Sequence, residues 1–171
     1  ARVMTALVCM ALGLFSVATG LDPPEKMWEE SYEWIRRFND IRLYSDSLLV
    51  AAITPNVQAE CMYMLNLEGD IIWQQGLEDP VSMNAVCQGS AETFVFAGCN
   101  GWVLNEMWDA ALLLVKTDIE GEIEWQRIYD VSDQWEDGYD VAALPDGGYA
   151  VCGRVNGEGL YEGQAWILRT D

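Results

Sequence analysis

The stretch KTDIEGEIEWQRIYD, Lys116 to Asp130, decides how the chain is read, because NLEGDIIWQQGL, Asn66 to Leu77, already says nearly the same thing. Trp73 and Trp125 lie 52 residues apart, and Gly69 and Gly121 share that offset. Asn66, Leu67 and Glu68 answer Asp118, Ile119 and Glu120. Working outward, LLVKTD (Leu113 to Asp118) returns as WILRTD (Trp166 to Asp171) at an offset of 53. TFVFAGCNG from Thr93 matches GYAVCGRVNG from Gly148 once Gly98 is set on Gly153, an offset of 55, and SLLVAAI from Ser47 fits the same frame. WIRRFND from Trp34 resembles WQRIYD from Trp125, so the tryptophan phrase reads three times. A period near fifty residues that drifts by a few is the mark of a repeat architecture with loop insertions.

The last copy shows what one unit contains. GYDVAAL (Gly138 to Leu144) is a short apolar strand, and PDGG (Pro145 to Gly148) supplies the fixed φ and the positive-φ glycine that a tight hairpin needs. YAVCGRV (Tyr149 to Val155) is the return strand, where Gly153 signals a bulge or a close backbone approach. NGEGLYEG then leads into QAWILRTD. In the preceding copy the DIEG turn opens EIEWQRIY (Glu122 to Tyr129), which alternates polar with apolar residues as a strand with one wet face does. Each unit thus holds four strands joined by turns or short loops. Helical repeats are disfavoured because the apolar runs are short, rich in Val, Ile, Trp and Tyr, and bounded by Gly, Asp, Asn or Pro. EKMWEESYEWIRRF has spacing compatible with a helix, but its alignment with the tryptophan strand predicts a strand over Glu33 to Phe38.

Four antiparallel strands per unit of about fifty residues describe a propeller blade. EDGYDVAALPDGGYAVCGR, AWILRTD and LLVKTDIEGEIEWQRIYD resemble the repeat of secreted bacterial and archaeal β-propeller proteins. In those, a D-G-G-Y hairpin, a strand ending in K-T-D or R-T-D and a G-x-x-x-W turn-strand recur. The resemblance spans Trp34 to Asp171 and weakens in the middle copy, where SAET (Ser90 to Thr93) stands for DGGY. It implies a scaffold for display or binding and brings no shared catalytic motif. The expected fold is all-β, a partial β-propeller of four-stranded antiparallel blades. Its divisions are a secretory signal peptide at 1–20, a linker at 21–32, a lone outer strand and first blade at 33–77, a second blade at 78–129, and a third blade lacking its last strand at 130–171. The chain reads as a fragment of a larger propeller, in which the Trp34 strand would close the ring by pairing with the final blade.

Composition bounds the function. In 171 residues, nine basic and 28 acidic side chains leave a net charge of −19, which repels nucleic acid and anionic lipid heads. The absence of histidine removes Ser–His triads, histidine bases and histidine ligands. ARVMTALVCMALGLFSVATG has one early positive charge, a short apolar run and small residues at its end, the layout of an export signal and too short to span a bilayer. No membrane partner is expected after cleavage. Cys61, Cys87, Cys99 and Cys152 fall within apolar strand-like runs, which predicts free, buried thiols.

Site candidates come from residues outside the repeat. Trp73 and Trp125 recur and are read as packing between blades. Trp102, Trp108 and Trp135 lie in loops out of register and are the candidates for a binding surface. Asp130, Asp133 and Asp137 crowd one connection, a candidate calcium site, although the stretch lacks the spacing of a known calcium loop. The reading that follows is a secreted, non-catalytic scaffold that binds a protein, glycan or surface polymer, its other partners being the remaining blades of the same chain. The alternative is the propeller portion of an exported enzyme, a quinone-dependent dehydrogenase or a glycan hydrolase.

Overall fold

The computed structural model describes residues 29–55, 60–79, 81–89, 92–101, 110–130, 135–156 and 163–171. The expected signal peptide and most of the expected linker therefore lie outside the described residues. Among the described residues there is no helix. Strands follow one another as β1 (Ile35–Ser45), β2 (Leu48–Pro55), β3 (Met62–Asn66), β4 (Ile71–Gln75), β5 (Val81–Gln88), β6 (Thr93–Asn100), β7 (Leu112–Asp118), β8 (Ile123–Tyr129), β9 (Glu136–Ala143), β10 (Tyr149–Asn156) and β11 (Gly163–Arg169). They form three antiparallel sheets in strict chain order, β1-β2-β3-β4, β5-β6-β7-β8 and β9-β10-β11.

The turns explain why the same phrases recur. Asn66 Oδ1 accepts the amides of Glu68 and Asp70 at 3.0 and 2.8 Å, and Asp118 Oδ1 accepts those of Glu120 and Glu122 at 3.0 and 2.8 Å. Such Asx bonds fix a turn whose next step needs positive φ, and Gly69 and Gly121 supply it at 92° and 89°. In PDGG, Gly147 takes φ 95° and Leu144 N donates to Gly148 O at 2.8 Å, closing the predicted hairpin.

Packing explains the runs that do not alternate. On β6, Phe94 and Phe96 enter the core shared with the first sheet, whereas Val95 and Ala97 enter the one shared with the third. On β7, Leu113 and Val115 face the first, Leu112 and Leu114 the third. A sheet buried on both faces needs apolar residues at both parities, so TFVFAGC and LLLV lose the period of two. The third sheet sends Val151 and Tyr149 toward the second, while Ile167 on its other face is 77% exposed.

The first strands of successive sheets are adjacent, β1 to β5 and β5 to β9, and each also meets the second strand of the sheet before it. Each first strand carries an extra residue at the matching step, and β1 also skips Arg36 and Tyr44. Register skips Asn39 between Phe38 and Asp40, Asn84 between Met83 and Ala85, and Tyr139 between Gly138 and Asp140. Opposite the last two sit Gly98 and Gly153, where a Cβ would lie 1.9 Å from the carbonyl oxygens of Ser82 and Asp137. Gly153 thus marks a close approach as predicted, and the bulged residue itself is on the facing strand.

Two expectations need correction. The segment from Trp34 is no separate outer strand. Glu33 and Trp34 form a turn, and Ile35 begins one strand that pairs with β2 through Ser45, inside the first sheet. RRFNDIRL contains no glycine or proline to stop it, so extension along β2 wins over the tryptophan alignment. The cysteines are free, but only Cys61 and Cys99 are buried. Cys87 is half-buried and Cys152 is exposed on the outer face of the third sheet, which no described sheet covers.

Candidate functional site

The three bulges converge on a cleft of about 330 Å³ lined by Arg37, Asn39, Ser82, Asn84, Cys99, Trp135, Asp137 and Tyr139. A bulge turns its extra side chain out of the strand's alternation, so one residue from each first strand is aimed at the same space. The polar bonds there repeat from sheet to sheet. Asn39 Nδ2 donates to Met83 O at 2.6 Å, and Asn84 Nδ2 donates to Gly138 O at 2.9 Å, each reaching the residue before the next sheet's bulge. Thr54 shares a 2.8 Å hydroxyl contact with Ser82, and at the equivalent positions the Cys99 thiol bonds the Asp137 carboxylate. These are seams between sheets. Asn39 also donates to Thr54 Oγ1 at 2.8 Å, and Asn84 to Asp137 Oδ1 at 2.6 Å.

Electrostatics single out Asp137. Burial pushes its carboxyl up to about 6, against the opposing pull of the bonds from Cys99 and Asn84 and the charge of Arg37. Burial, then the neighbouring Asp137, pushes the Cys99 thiol far above its ordinary value, so it serves as a proton donor and not as a thiolate. The indole Nε1 of Trp135 is buried beside the Cys99 sulfur, toward which its N–H is directed.

The candidates from sequence divide accordingly. Trp135 and Asp137 line the cleft together. Asp130 is exposed beyond the end of β8, and Asp133, Trp102 and Trp108 lie outside the described residues. Among the described residues no three acidic or sulfur side chains gather as a metal would require. Asp137 points instead toward Asn84 and Cys99 because β9 starts at Glu136 and carries it into the seam. Arg37, Asn39, Asn84 and Tyr139 were missed by sequence reasoning. The available signal was the common step of 14 residues from Asn39 to Ile53, Asn84 to Gly98 and Tyr139 to Gly153, visible only once the bulges are aligned. The recurring tryptophans do pack between sheets. Trp73 Nε1 donates to Ile119 O at 2.8 Å over Gly121, and Trp125 meets Tyr149 with ring centroids 6.0 Å apart.

No family model matches the chain, and no curated protein does. Among solved structures it is similar to a protein of unknown function from Bacteroides caccae, with a TM-score of 0.54 at 12% identity. The alignment covers 83% of this chain and 49% of that one, so the chain spans about half the length of its structural neighbour. At that identity the likeness is one of fold.

Proposed function

We propose that the three sheets are blades of a β-propeller and that the protein is an exported, non-catalytic scaffold that binds a glycan, protein or surface polymer. The adjacency of the first strands and the unit-by-unit repetition of the seams support the propeller, as does the four-strand pattern. The observation that carries the binding reading is the cleft itself, which brings the Arg37 guanidinium, the Asn39 and Asn84 amides, the Asp137 carboxylate and the rings of Trp135 and Tyr139 to one open space.

The test is equilibrium binding of the purified protein to an array of glycans and surface polymers, with the contact mapped by NMR. Saturable binding that perturbs cleft residues supports the reading, and binding to none of them defeats it. Asp137, with its raised proton affinity in a cleft, favours a second reading as the propeller portion of an exported enzyme. Turnover of a bound ligand that is lost in Asp137→Asn would establish that alternative. Export itself is tested by whether residues 1–20 carry a reporter out of the cytoplasm.

A further inference from the structure

We propose that the cleft is a subsite for one neutral sugar ring, with hydroxyls bonded between Arg37 and Asp137 and the C–H face against Trp135 and Tyr139. This rests on the binding reading above and names its ligand class. The cleft brings to one space a guanidinium that only donates, a carboxylate that accepts, and two aromatic rings. A hydroxyl does both, so a vicinal pair can accept from Arg37 and donate to Asp137 at once.

Charge and size narrow the class. Arg37 faces Asp137 across the cleft, Arg154 is bonded to the Tyr139 hydroxyl beside it, and the molecule carries −19 overall, so an anion gains little there. Asp137 already accepts from Asn84 at 2.6 Å, from Cys99 and from the backbone of Gly138. What remains suits one hydroxyl donor better than an ammonium group with three donors to satisfy. About 330 Å³ is at the low end for small-molecule sites and fits a single ring. Aromatic faces beside planar polar groups suit a ring whose C–H face is apolar and whose edge is hydroxylated.

The test is titration of the intact protein with glucose, galactose, mannose and N-acetylglucosamine, following the indole N–H signals by NMR. We expect the Trp135 signal to move saturably with at least one sugar, with an affinity that does not change from low to high salt. Arg37→Gln, at an exposed position where folding is not at stake, should weaken binding by about tenfold. Trp135→Phe should remove the reporting signal and weaken binding several-fold. If glycine or another zwitterion moves that signal, in a salt-sensitive way, and no sugar does, the sugar assignment is overturned while a binding cleft stands. If sugars bind but perturb only residues elsewhere, the subsite is overturned. If nothing tested binds anywhere, the sugar assignment is overturned, and the binding reading falls with it only when the polymer array also shows no binding.

Discussion

Asp137 shows how one side chain ties the seam to solution conditions. Its carboxyl protonates near 6 in the folded chain against an ordinary value of 3.8, so between those values the native state holds more protons than the unfolded one. Stability therefore falls as pH rises through that window. Asp137→Asn should raise stability above pH 7 by on the order of 2 to 3 kcal/mol and leave it unchanged near pH 4, read from urea melts at both pH values. Arg37, Cys99 and Asn84 face the same carboxyl, and all three remain in that variant. The glycines give a second residue-scale contrast. Gly98→Ala and Gly153→Ala place a methyl 1.9 Å from a backbone oxygen and should each cost about 3 kcal/mol or more. Gly147→Ala meets nothing within 4 Å and should cost only about 1 to 2 kcal/mol, the strain of its φ. Thermal melts of the three variants would separate clash from strain.

At the scale of elements, the turn-strand phrase works as a tooth and seat between sheets. Trp73 rests on Gly121 and donates to Ile119 O, so Trp73→Phe keeps most of the contact and loses one hydrogen bond, about 1 kcal/mol by chemical denaturation. A loss above 3 kcal/mol would mean that the ring, and not the bond, holds the second sheet's turn in place. This phrase was legible in the sequence because its chemistry is local: Asn66 or Asp118 for the Asx bonds, glycine for positive φ, tryptophan at a fixed step after it. The strand order and the PDGG hairpin were legible for the same reason. The extent of β1 was not, since nothing in RRFNDIRL says whether it pairs forward with β2 or stands apart. Half of the cleft was legible as loop chemistry at Trp135 and Asp137. Arg37, Asn39 and Asn84 were not, because a bulge shifts a side chain by one place without changing composition.

Across the whole molecule, burial is uneven along the stack of sheets. β6 and β7 are covered on both faces, whereas β11 is an edge strand with Ile167 exposed. Hydrogen exchange should therefore be slowest in β6 and β7 and fastest in β11, and uniform protection would contradict a graded stack. The edge and outer face of the third sheet, which no described strand or sheet covers, also favour self-association. Ile167→Lys should reduce concentration-dependent association in sedimentation while leaving the melting temperature within about 1 kcal/mol of equivalent stability.

The indole over a bare glycine has one more implication, for how such a molecule grows. The first two sheets each carry the ring and the glycine, Trp73 with Gly69 and Trp125 with Gly121, so an in-frame duplication at the DNA level would yield a newcomer bringing both halves of the match. Lengthening the array then requires no compensating change elsewhere, whereas losing either half of the match in one copy would be felt next door.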